Sequence, residues 1–449
     1  MRVEQAGMGM PARAGLVTAA LLLLVAMVFG GGSRGQGDLV VHLVAAPALA
    51  VAILCWRHSV ASPLQRAFLY LLIAAAALMA LQLLPIGSDL FGQLRGRDGI
   101  APDLQVAGVD NAWLATTLNP FGTLRALLAL LVFASVWMLA SMLAPEQRQQ
   151  LVRLVLLLAF TMALLGFAQA AAGRYSALRF HDFHHPVGAI GTFANRNHFA
   201  DLMALLIPFA LCMGKPHFER GRAGAGRLLW AGVTVVLFLA AALSFSRTGF
   251  ALACVALAAG WLVQPSQTGF GRAVARWAAP LAVAASCVLA VGYYAWRGIV
   301  QRLEQDPLDD LRWQYLANGT EAVRTWLPWG SGFGSFREVY APFEPVADMG
   351  RSFAMHAHND ALEIALEGGV PGLLLLCGAM VLLAWAAASA LRQRCNTDPL
   401  VLAATVAVFV PLLHSLVDYP LRTLAIAAVF GLVVAVLLSP NRDAALGRA

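Results

Sequence analysis

The segment 356–359 reads His-Ala-His-Asn and precedes a run of acidic and apolar residues that ends at Gly368-Gly369. Asn359 is a suitable N-cap and Asp360 suits the positive end of a helix dipole, so the pattern predicts a helix from about residue 360. His358 would then lie at a helix N-terminus, where the dipole disfavours imidazolium and the neutral ring can act as a general base. Helix capping at a membrane interface explains the same pattern without any chemistry.

The predicted helix is amphipathic. Spacings of three and four residues place Asp360, Glu363 and Glu367 on one face, so we expect the helix to lie along a membrane surface. His356 lies two residues before His358, and in an extended segment the two side chains would point in opposite directions. Only one of the pair is then expected to face a site, and we favour His358.

Arginines in three polar segments could bind a diphosphate. Arg196 lies between Asn195 and Asn197, Arg247 lies in a tight turn, and Arg312 lies in the longest polar segment. Guanidinium stays charged and grips phosphate oxygens in a two-pronged manner, so converging arginines make a diphosphate site that needs no metal. Snorkelling at a helix end explains Arg247 equally well, and Arg312 has acidic neighbours with which it could pair instead.

The longest polar segment also contains features with plainer explanations. Arg324 could join the arginine cluster or pair with a nearby acid. Seven aromatic residues of this segment could stack on sugars, and an interfacial aromatic belt explains them nearly as well: Trp313, Trp326, Trp329, Phe333, Phe336, Tyr340 and Phe343. The glycine-rich run 330–334 follows no predicted strand, so we interpret it as a turn.

Neither a metal centre nor a disulfide framework is expected. His181, His184 and His185 are close in sequence, but they lack the regular spacing and the neighbouring acids of a zinc site. All six cysteines fall within predicted helices or on the cytoplasmic side, where disulfides do not persist. We therefore predict no cofactor.

Composition and hydropathy indicate the class of protein that positions these residues. The chain has 449 residues and is 60% hydrophobic and only 12% charged, whereas a soluble protein carries roughly twice that charged fraction. Apolar runs long enough to cross a hydrocarbon core of about 30 Å recur throughout. The pattern predicts an all-α polytopic membrane protein, with one membrane domain over residues 1–449. The twelve predicted spans are 14–30, 39–56, 67–86, 124–144, 151–172, 199–213, 228–244, 249–264, 278–295, 370–390, 399–416 and 422–439.

Basic residues indicate the orientation. Short loops rich in Lys and Arg mark the cytoplasmic side, so both termini are expected there. The outer side would then carry segments 87–123 and 173–198 and one large loop, 296–369, between the ninth and tenth spans. The net charge of +7 comes from arginines spread over helix ends, so we predict no nucleic-acid partner. The basic residues of the predicted inner loops are Arg57, Arg66, Arg148, Lys215, Arg220, Arg222, Arg227, Arg272, Arg276, Arg392 and Arg394.

Three of these segments resemble motifs of the O-antigen ligase and polymerase family, and their order along the chain fits. They are residues 191–198, 244–249 and 356–359. Further similarity lies at Arg312, 328–334 and 414–420. The resemblance extends from about residue 185 to residue 440, and the earlier helices match only in hydropathy.

The resemblance implies a membrane-embedded glycosyltransferase of GT-C-like fold. Such a protein moves a glycan, with inversion, from undecaprenyl diphosphate to an acceptor hydroxyl on the periplasmic face of the bacterial inner membrane. It uses neither nucleotide sugar nor metal. Arg196 and Arg247 would bind the diphosphate with support from Arg312, and His358 would take the proton of the acceptor. Five polar residues would support the site: Asn195, Asn197, His356, Asn359 and Asp418.

Several alternatives stay open. The acceptor could be lipid A-core, as in a ligase of lipopolysaccharide biosynthesis, or a growing polysaccharide, as in a repeat-unit polymerase or in exopolysaccharide synthesis, or a protein. A secondary transporter is disfavoured because charged residues avoid the middle of the spans and no paired broken helices occur. A purely structural scaffold would tolerate alanine at His358 or Arg247.

Overall fold

A computed structural model describes residues 10–32, 36–56, 61–108, 113–181, 187–219, 225–264, 308–346 and 354–439. Most of these residues are helical. The α-helices are α1 (Met10–Phe29), α2 (Gln36–Trp56), α3 (Pro63–Leu83), α4 (Ser88–Gln93), α5 (Ile100–Val106), α6 (Pro120–Ser141), α7 (Pro145–Ala172), α8 (Arg196–Glu219), α9 (Ala225–Leu243), α10 (Arg247–Val263), α11 (Leu308–Trp326), α12 (Phe336–Tyr340), α13 (Asp360–Arg392), α14 (Pro399–Ala407), α15 (Phe409–His414) and α16 (Leu424–Leu437). Short 3-10 helices cover Ala341–Phe343 and Pro420–Arg422.

The helices agree with the prediction of a membrane protein. Among the described residues, α2, α3, α6, α7, α8 and α13 contain stretches long and apolar enough to cross a membrane. Shorter apolar helices fall at five other predicted spans, at α1, α9, α10, α14 with α15, and α16. The predicted span 278–295 lies outside the described residues, as do parts of the predicted loop 296–369. A predominantly helical membrane fold is confirmed, and the count of about twelve spans stays a prediction.

One element departs from an all-helical chain. Strands β1 (Pro85–Gly87) and β2 (Trp113–Ala115) pair antiparallel, with β1 at the end of the predicted span 67–86 and β2 within the predicted outer segment 87–123. Each strand has three residues, which is too short for the alternation of apolar and polar residues that reveals a strand in sequence. The pair closes a loop that contains α4 and α5.

The core is built around helices that are buried on nearly every side. All residues of α16 are buried, and the chain has apolar residues on every face of this helix, as such a position requires. Trp137 of α6 is fully buried, with its ring centroid 5.1 Å from Phe68 and 5.3 Å from Trp56. Helix α8 is buried over most of its length between α9 and α10. The polar first turn of α8 therefore ends at a fixed place in the bundle.

The glycine-rich run 330–334 is a turn, as predicted, and backbone hydrogen bonds join it to α13. The amides of Ser331 and Gly332 donate to the carbonyls of Leu366 and Glu367, each over 2.9 Å. The Gln82 side chain joins both segments, because its Nε2 donates to Glu367 O at 3.0 Å and its Oε1 accepts the Phe333 amide at 3.0 Å. These hydrogen bonds thus hold α13 at Leu366 and Glu367, C-terminal to the residues that begin the helix.

Arg97 fixes the predicted outer segment 87–123 to the same turn. Its buried guanidinium donates to the carbonyls of Thr116 and Gly330, and it lies 5.3 Å from the ring centroid of Trp326. Burial lowers the pKa of Arg97 to about 10, so the side chain stays charged at neutral pH. Arg97 thus fixes the position of the turn that supports α13.

Replacement of Gly332 by alanine is expected to destabilise the protein. Gly332 has φ of 105°, and a Cβ there would overlap Thr117. We expect Gly332→Ala to lower the free energy of unfolding by about 2 kcal/mol or more, because left-handed strain and overpacking act together. Gly232 of α9 is the matched control, since a Cβ there meets no described atom within 4 Å. Thermal unfolding in detergent measures both variants, and equal melting temperatures would contradict this interpretation of the turn.

Candidate active site

Three chain segments meet at one end of the helices. They are the first turn of α8, the residues that begin α13, and the segment 415–422 between α15 and α16. The Asp360 amide donates to Ser415 O at 2.9 Å, and Ser415 Oγ donates to Asp360 Oδ2 at 2.6 Å. The Asn197 side chain donates to Asp418 Oδ2 at 2.7 Å. Predicted site residues from distant parts of the sequence are therefore neighbours.

Asp418 is the centre of this assembly and is fully buried. Its Oδ2 accepts from Asn197, and its Oδ1 accepts the Tyr419 amide at 3.0 Å. The same Oδ1 lies 3.2 Å from His358 Nδ1 and 3.7 Å from His198 Nε2. One carboxylate thus links α8, its own turn and the segment that precedes α13.

The charge of the Asp418 carboxylate bears on which ring nitrogen of His358 carries hydrogen. Burial alone would raise the pKa of Asp418, but the neighbouring imidazole rings of His198 and His358 hold it well below its usual range. His358 Nδ1 lies 3.2 Å from this carboxylate without a well-aligned hydrogen bond, and an ionised carboxylate, which only accepts, favours the tautomer with hydrogen on Nδ1. Nε2 of His358 then keeps its lone pair, and the residue is 28% exposed. The geometry therefore suits a general base.

The backbone at His358 adopts an unusual conformation. Its φ is 50°, in the left-handed region that costs a non-glycine residue about 1–2 kcal/mol. Asn359 follows as the predicted N-cap, because its Oδ1 accepts the Leu362 amide at 3.0 Å. The ring of His358 lies nearly parallel to that of Tyr315, with centroids 6.1 Å apart.

The expectation that His356 and His358 point in opposite directions is wrong. Both rings pack against Tyr419, with centroid distances of 4.2 Å for His356 and 5.0 Å for His358. The left-handed φ at His358 turns the chain, so the alternation of an extended strand does not apply. His198 packs against the same Tyr419 ring at 5.0 Å, and its Nδ1 lies 2.7 Å from Thr423 Oγ1.

The acidic face at the start of α13 is buried inside the protein, and Gly369, with φ of 59°, interrupts the helix where the predicted terminating glycines lie. The expectation that this part of the helix lies along a membrane surface stays a prediction. Glu363 and Glu367 are buried, and together with Asp360 they face Arg422. The guanidinium lies 3.1 Å from carboxylate oxygens of Asp360 and Glu363 and 3.4 Å from one of Glu367. The acidic face therefore packs inward, because an arginine compensates it.

Sequence reasoning missed Arg422 and Tyr419. Burial alone would lower the pKa of Arg422, but its three carboxylate neighbours raise it, so the side chain is firmly charged. A signal for Arg422 was present, since it is an arginine on the predicted outer side of the last span, as Arg247 is in its turn. Tyr419 lies in the segment 414–420, which resembles a family motif, but the sequence assigned it no role.

Arg196 and Arg247 are the first residues of two neighbouring helices, α8 and α10. Gly249 packs directly on Ala200, so the two helices begin side by side. Ser246 caps α10, because its Oγ accepts the Gly249 amide at 3.1 Å. Two helix N-termini and two guanidinium groups thus lie at the same end of the bundle, an arrangement that suits an anion.

The other two arginines of the predicted cluster both lie on α11. Arg312 lies in α11, one turn before Tyr315, and its side chain lies outside the described residues. Arg324 pairs with Glu321 at 3.1 Å, and both side chains are exposed. Arg324 is therefore a surface residue. Asn195 lies directly before α8, where its Oδ1 accepts the Asn197 amide at 2.8 Å.

Most aromatic residues of the segment 313–343 form a small core and are not available to a sugar. Trp326, Phe333, Phe336 and Tyr340 are buried, whereas Trp313 and Trp329 are exposed. His181 Nε2 lies 2.9 Å from Thr192 O. His184 and His185 lie outside the described residues.

A second buried histidine–carboxylate pair lies farther along the same elements. His414 Nδ1 lies 2.9 Å from Asp201 Oδ1, and both residues are buried. Asp201 is one turn after Asn197 on α8, and His414 is one turn before Asp418. Two contacts thus join α8 to the segment 414–418, one between Asp201 and His414 and one between Asn197 and Asp418.

The fold and the site define an integral membrane protein with a histidine–carboxylate site and two arginines at one end of its helices. Residues 232–377, about a third of the chain, match the family described as O-Antigen ligase. This match confirms the resemblance to the O-antigen ligase family within that segment. It contains Arg247 and His358 but neither Arg196 nor Asp418. No curated protein shows significant similarity to the chain.

Replacement of Asp418 by asparagine is expected to destabilise the protein at neutral pH. A carboxylate with a lowered pKa stabilises the folded state above its unfolded value of about 3.9, and this contribution is lost as the pH falls through the folded value. We expect Asp418→Asn to cost about 1.5–3 kcal/mol at pH 7. The difference from wild type should shrink below about pH 4.

Thermal unfolding in detergent at several pH values measures this difference. The exposed Asp103 provides the control variant Asp103→Asn, for which little change is expected. A difference between wild type and Asp418→Asn that stays constant from pH 7 to the acid limit would contradict the assigned charge.

Proposed function

We propose that this protein is a membrane glycosyltransferase that moves a glycan from undecaprenyl diphosphate to an acceptor hydroxyl on the periplasmic face of the bacterial inner membrane. The observation that carries the proposal is the pairing of His358 with the buried Asp418, at the same end of the bundle as Arg196 and Arg247. The family match over residues 232–377 suggests membrane glycosyl transfer of the ligase or polymerase kind.

His358 would act as the general base. Its Nε2 takes the proton of the acceptor hydroxyl while the hydroxyl oxygen forms a bond to the anomeric carbon. The bond from that carbon to the diphosphate oxygen breaks, and its electron pair leaves with undecaprenyl diphosphate. Attack from the face opposite to the leaving group inverts the anomeric configuration. Asp418 keeps the ring in the required tautomer and stabilises the imidazolium that forms.

Arg196 and Arg247 would bind the diphosphate. Negative charge grows on the leaving oxygen as the bond breaks, and fixed guanidinium groups and helix N-termini stabilise that charge. Arg312 on α11 would add support from the side of Tyr315. The proposal needs no metal, because the arginines supply the positive charge that the leaving group requires.

Four further residues would position the two halves of the site. Asn197 joins the start of α8 to Asp418, and Asn195 accepts the Asn197 amide. Asn197 thus connects the start of α8, which would bind the diphosphate, to Asp418 beside the base His358. Asn359 caps α13 directly after His358, and its Nδ2 donates to Leu416 O at 3.1 Å. His356 packs beside His358 on Tyr419.

A repeat-unit polymerase is the alternative within the same family. The same attack on the anomeric carbon serves both reactions, and the acceptor alone distinguishes them. Lipid A-core would be the acceptor of a ligase, and a growing polysaccharide would be the acceptor of a polymerase.

A gene deletion tests the proposed function. The mutant strain is complemented with wild type, His358→Ala or Arg324→Ala, and undecaprenyl-linked and surface glycans are analysed by gel and mass spectrometry. We expect long glycan to accumulate on the lipid carrier and to vanish from its acceptor if the protein is a ligase. Single repeat units would accumulate if it is a polymerase. His358→Ala should not complement, whereas the exposed Arg324→Ala should.

Unchanged glycans in the deletion strain would contradict the function itself. Full complementation by His358→Ala, at the same protein level as wild type, would contradict the assigned base. Immunoblotting of membrane fractions provides the level of each variant.

A further inference from the structure

The left-handed backbone at His358 has to be held by its surroundings. A residue with φ of 50° persists only where neighbouring contacts determine its conformation. The contacts on the C-terminal side of His358 are the Asn359 cap and the hydrogen bond from the Asp360 amide to Ser415 O. A different residue supplies the contact on the N-terminal side.

That contact comes from Glu363, one turn inside α13. Its Oε2 accepts the Ala357 amide at 2.9 Å, and its Oε1 lies 2.8 Å from His356 Nδ1. The carboxylate therefore binds both residues that precede His358. Glu363 is only 1% exposed, so water does not compete for these contacts.

Arg422 keeps this carboxylate in place. Asp360, Glu363 and Glu367 lie on one helix face, and without a cation three like charges would repel one another in a buried position. The guanidinium contacts all three, and it belongs to the segment that also carries Asp418. Arg422 thus ties the start of α13 to the segment that holds the His358 ring.

We propose that Glu363, held by Arg422, is a positioning residue that fixes the backbone before His358 and so aims the His358 ring at the acceptor. The inference rests on the proposed function. Glu363 does not touch the reacting atoms and acts through the Ala357 amide. A displacement of the base by about 1 Å can lower a reaction rate about 100-fold, so a contact one residue away matters for catalysis.

Glu367 provides a matched control within the same ionic cluster. It shares Arg422 with Glu363, but its Oε1 accepts the Phe336 amide at the start of α12 at 3.1 Å. Replacement of either glutamate by glutamine keeps the size of the side chain and removes one ionisable carboxyl group from the cluster. Only the replacement at position 363 also changes the contacts to His356 and Ala357. The comparison therefore separates positioning from stability.

The test uses the purified full-length protein with an undecaprenyl-diphosphate-linked glycan as donor and the acceptor identified in the deletion strain. We measure kcat, KM for donor and acceptor, and melting temperature for wild type and for the Ala and Gln variants of Glu363, and for Glu367→Gln. For Glu363→Ala we expect kcat to fall about 100-fold, with the donor KM within about 3-fold of wild type. Glu363→Gln retains a carbonyl acceptor for the Ala357 amide and should lose about 10-fold.

Glu367→Gln should change the melting temperature while its kcat stays within about 3-fold of wild type. Equal losses of kcat in Glu363→Gln and Glu367→Gln would overturn the inference, as would a Glu363→Gln variant with the kcat of wild type. If Glu363→Ala gives no folded protein, the two glutamine variants decide the question. A wild-type protein without transfer activity contradicts the proposed function, whereas active wild type with active Glu363 variants contradicts only the positioning role.

Discussion

The buried carboxylate of Asp418 is the interaction on which the candidate site depends. An ionised carboxylate away from water is costly unless donors surround it. Asn197, the Tyr419 amide and the histidines at 198 and 358 provide that surrounding. Because these groups come from α8, from the segment before α13 and from the turn itself, the charge can be satisfied only when all three segments are in place. The same buried carboxylate thus stabilises this end of the bundle and orients His358.

The rest of the architecture combines apolar packing of the helices with ionic contacts at their ends. Helix α16 and most of α8 are buried and apolar, so polar groups are confined to helix ends and turns. The turn after α15 presents Asp418, and Arg422 of the same segment compensates the acidic face of α13. The glycine-rich turn and the Gln82 side chain hold α13 near Glu367. Apolar packing positions the helices, and a small ionic network positions the side chains at their ends.

The sequence predicts the elements better than their contacts. Hydropathy identified the apolar helices, because membrane spans need long apolar runs. Capping chemistry located the start of α13 at Asp360. The opposite directions of His356 and His358 were wrong, because a left-handed residue between extended segments leaves no periodic pattern. The burial of Glu363 was missed because its partner Arg422 is 59 positions away, and only the tertiary fold brings the two together. The contacts of Arg312 stay a prediction.

The central claim is that His358, oriented by Asp418, removes the proton of the acceptor while the arginines hold the donor. Parallel measurement of donor binding and single-turnover transfer by purified wild type and His358→Gln tests it most directly. The account predicts donor affinity equal to wild type and transfer slower by about 1,000-fold, since general-base catalysis contributes roughly 100- to 10,000-fold. Transfer by His358→Gln within about 10-fold of wild type, at equal donor binding, would contradict it.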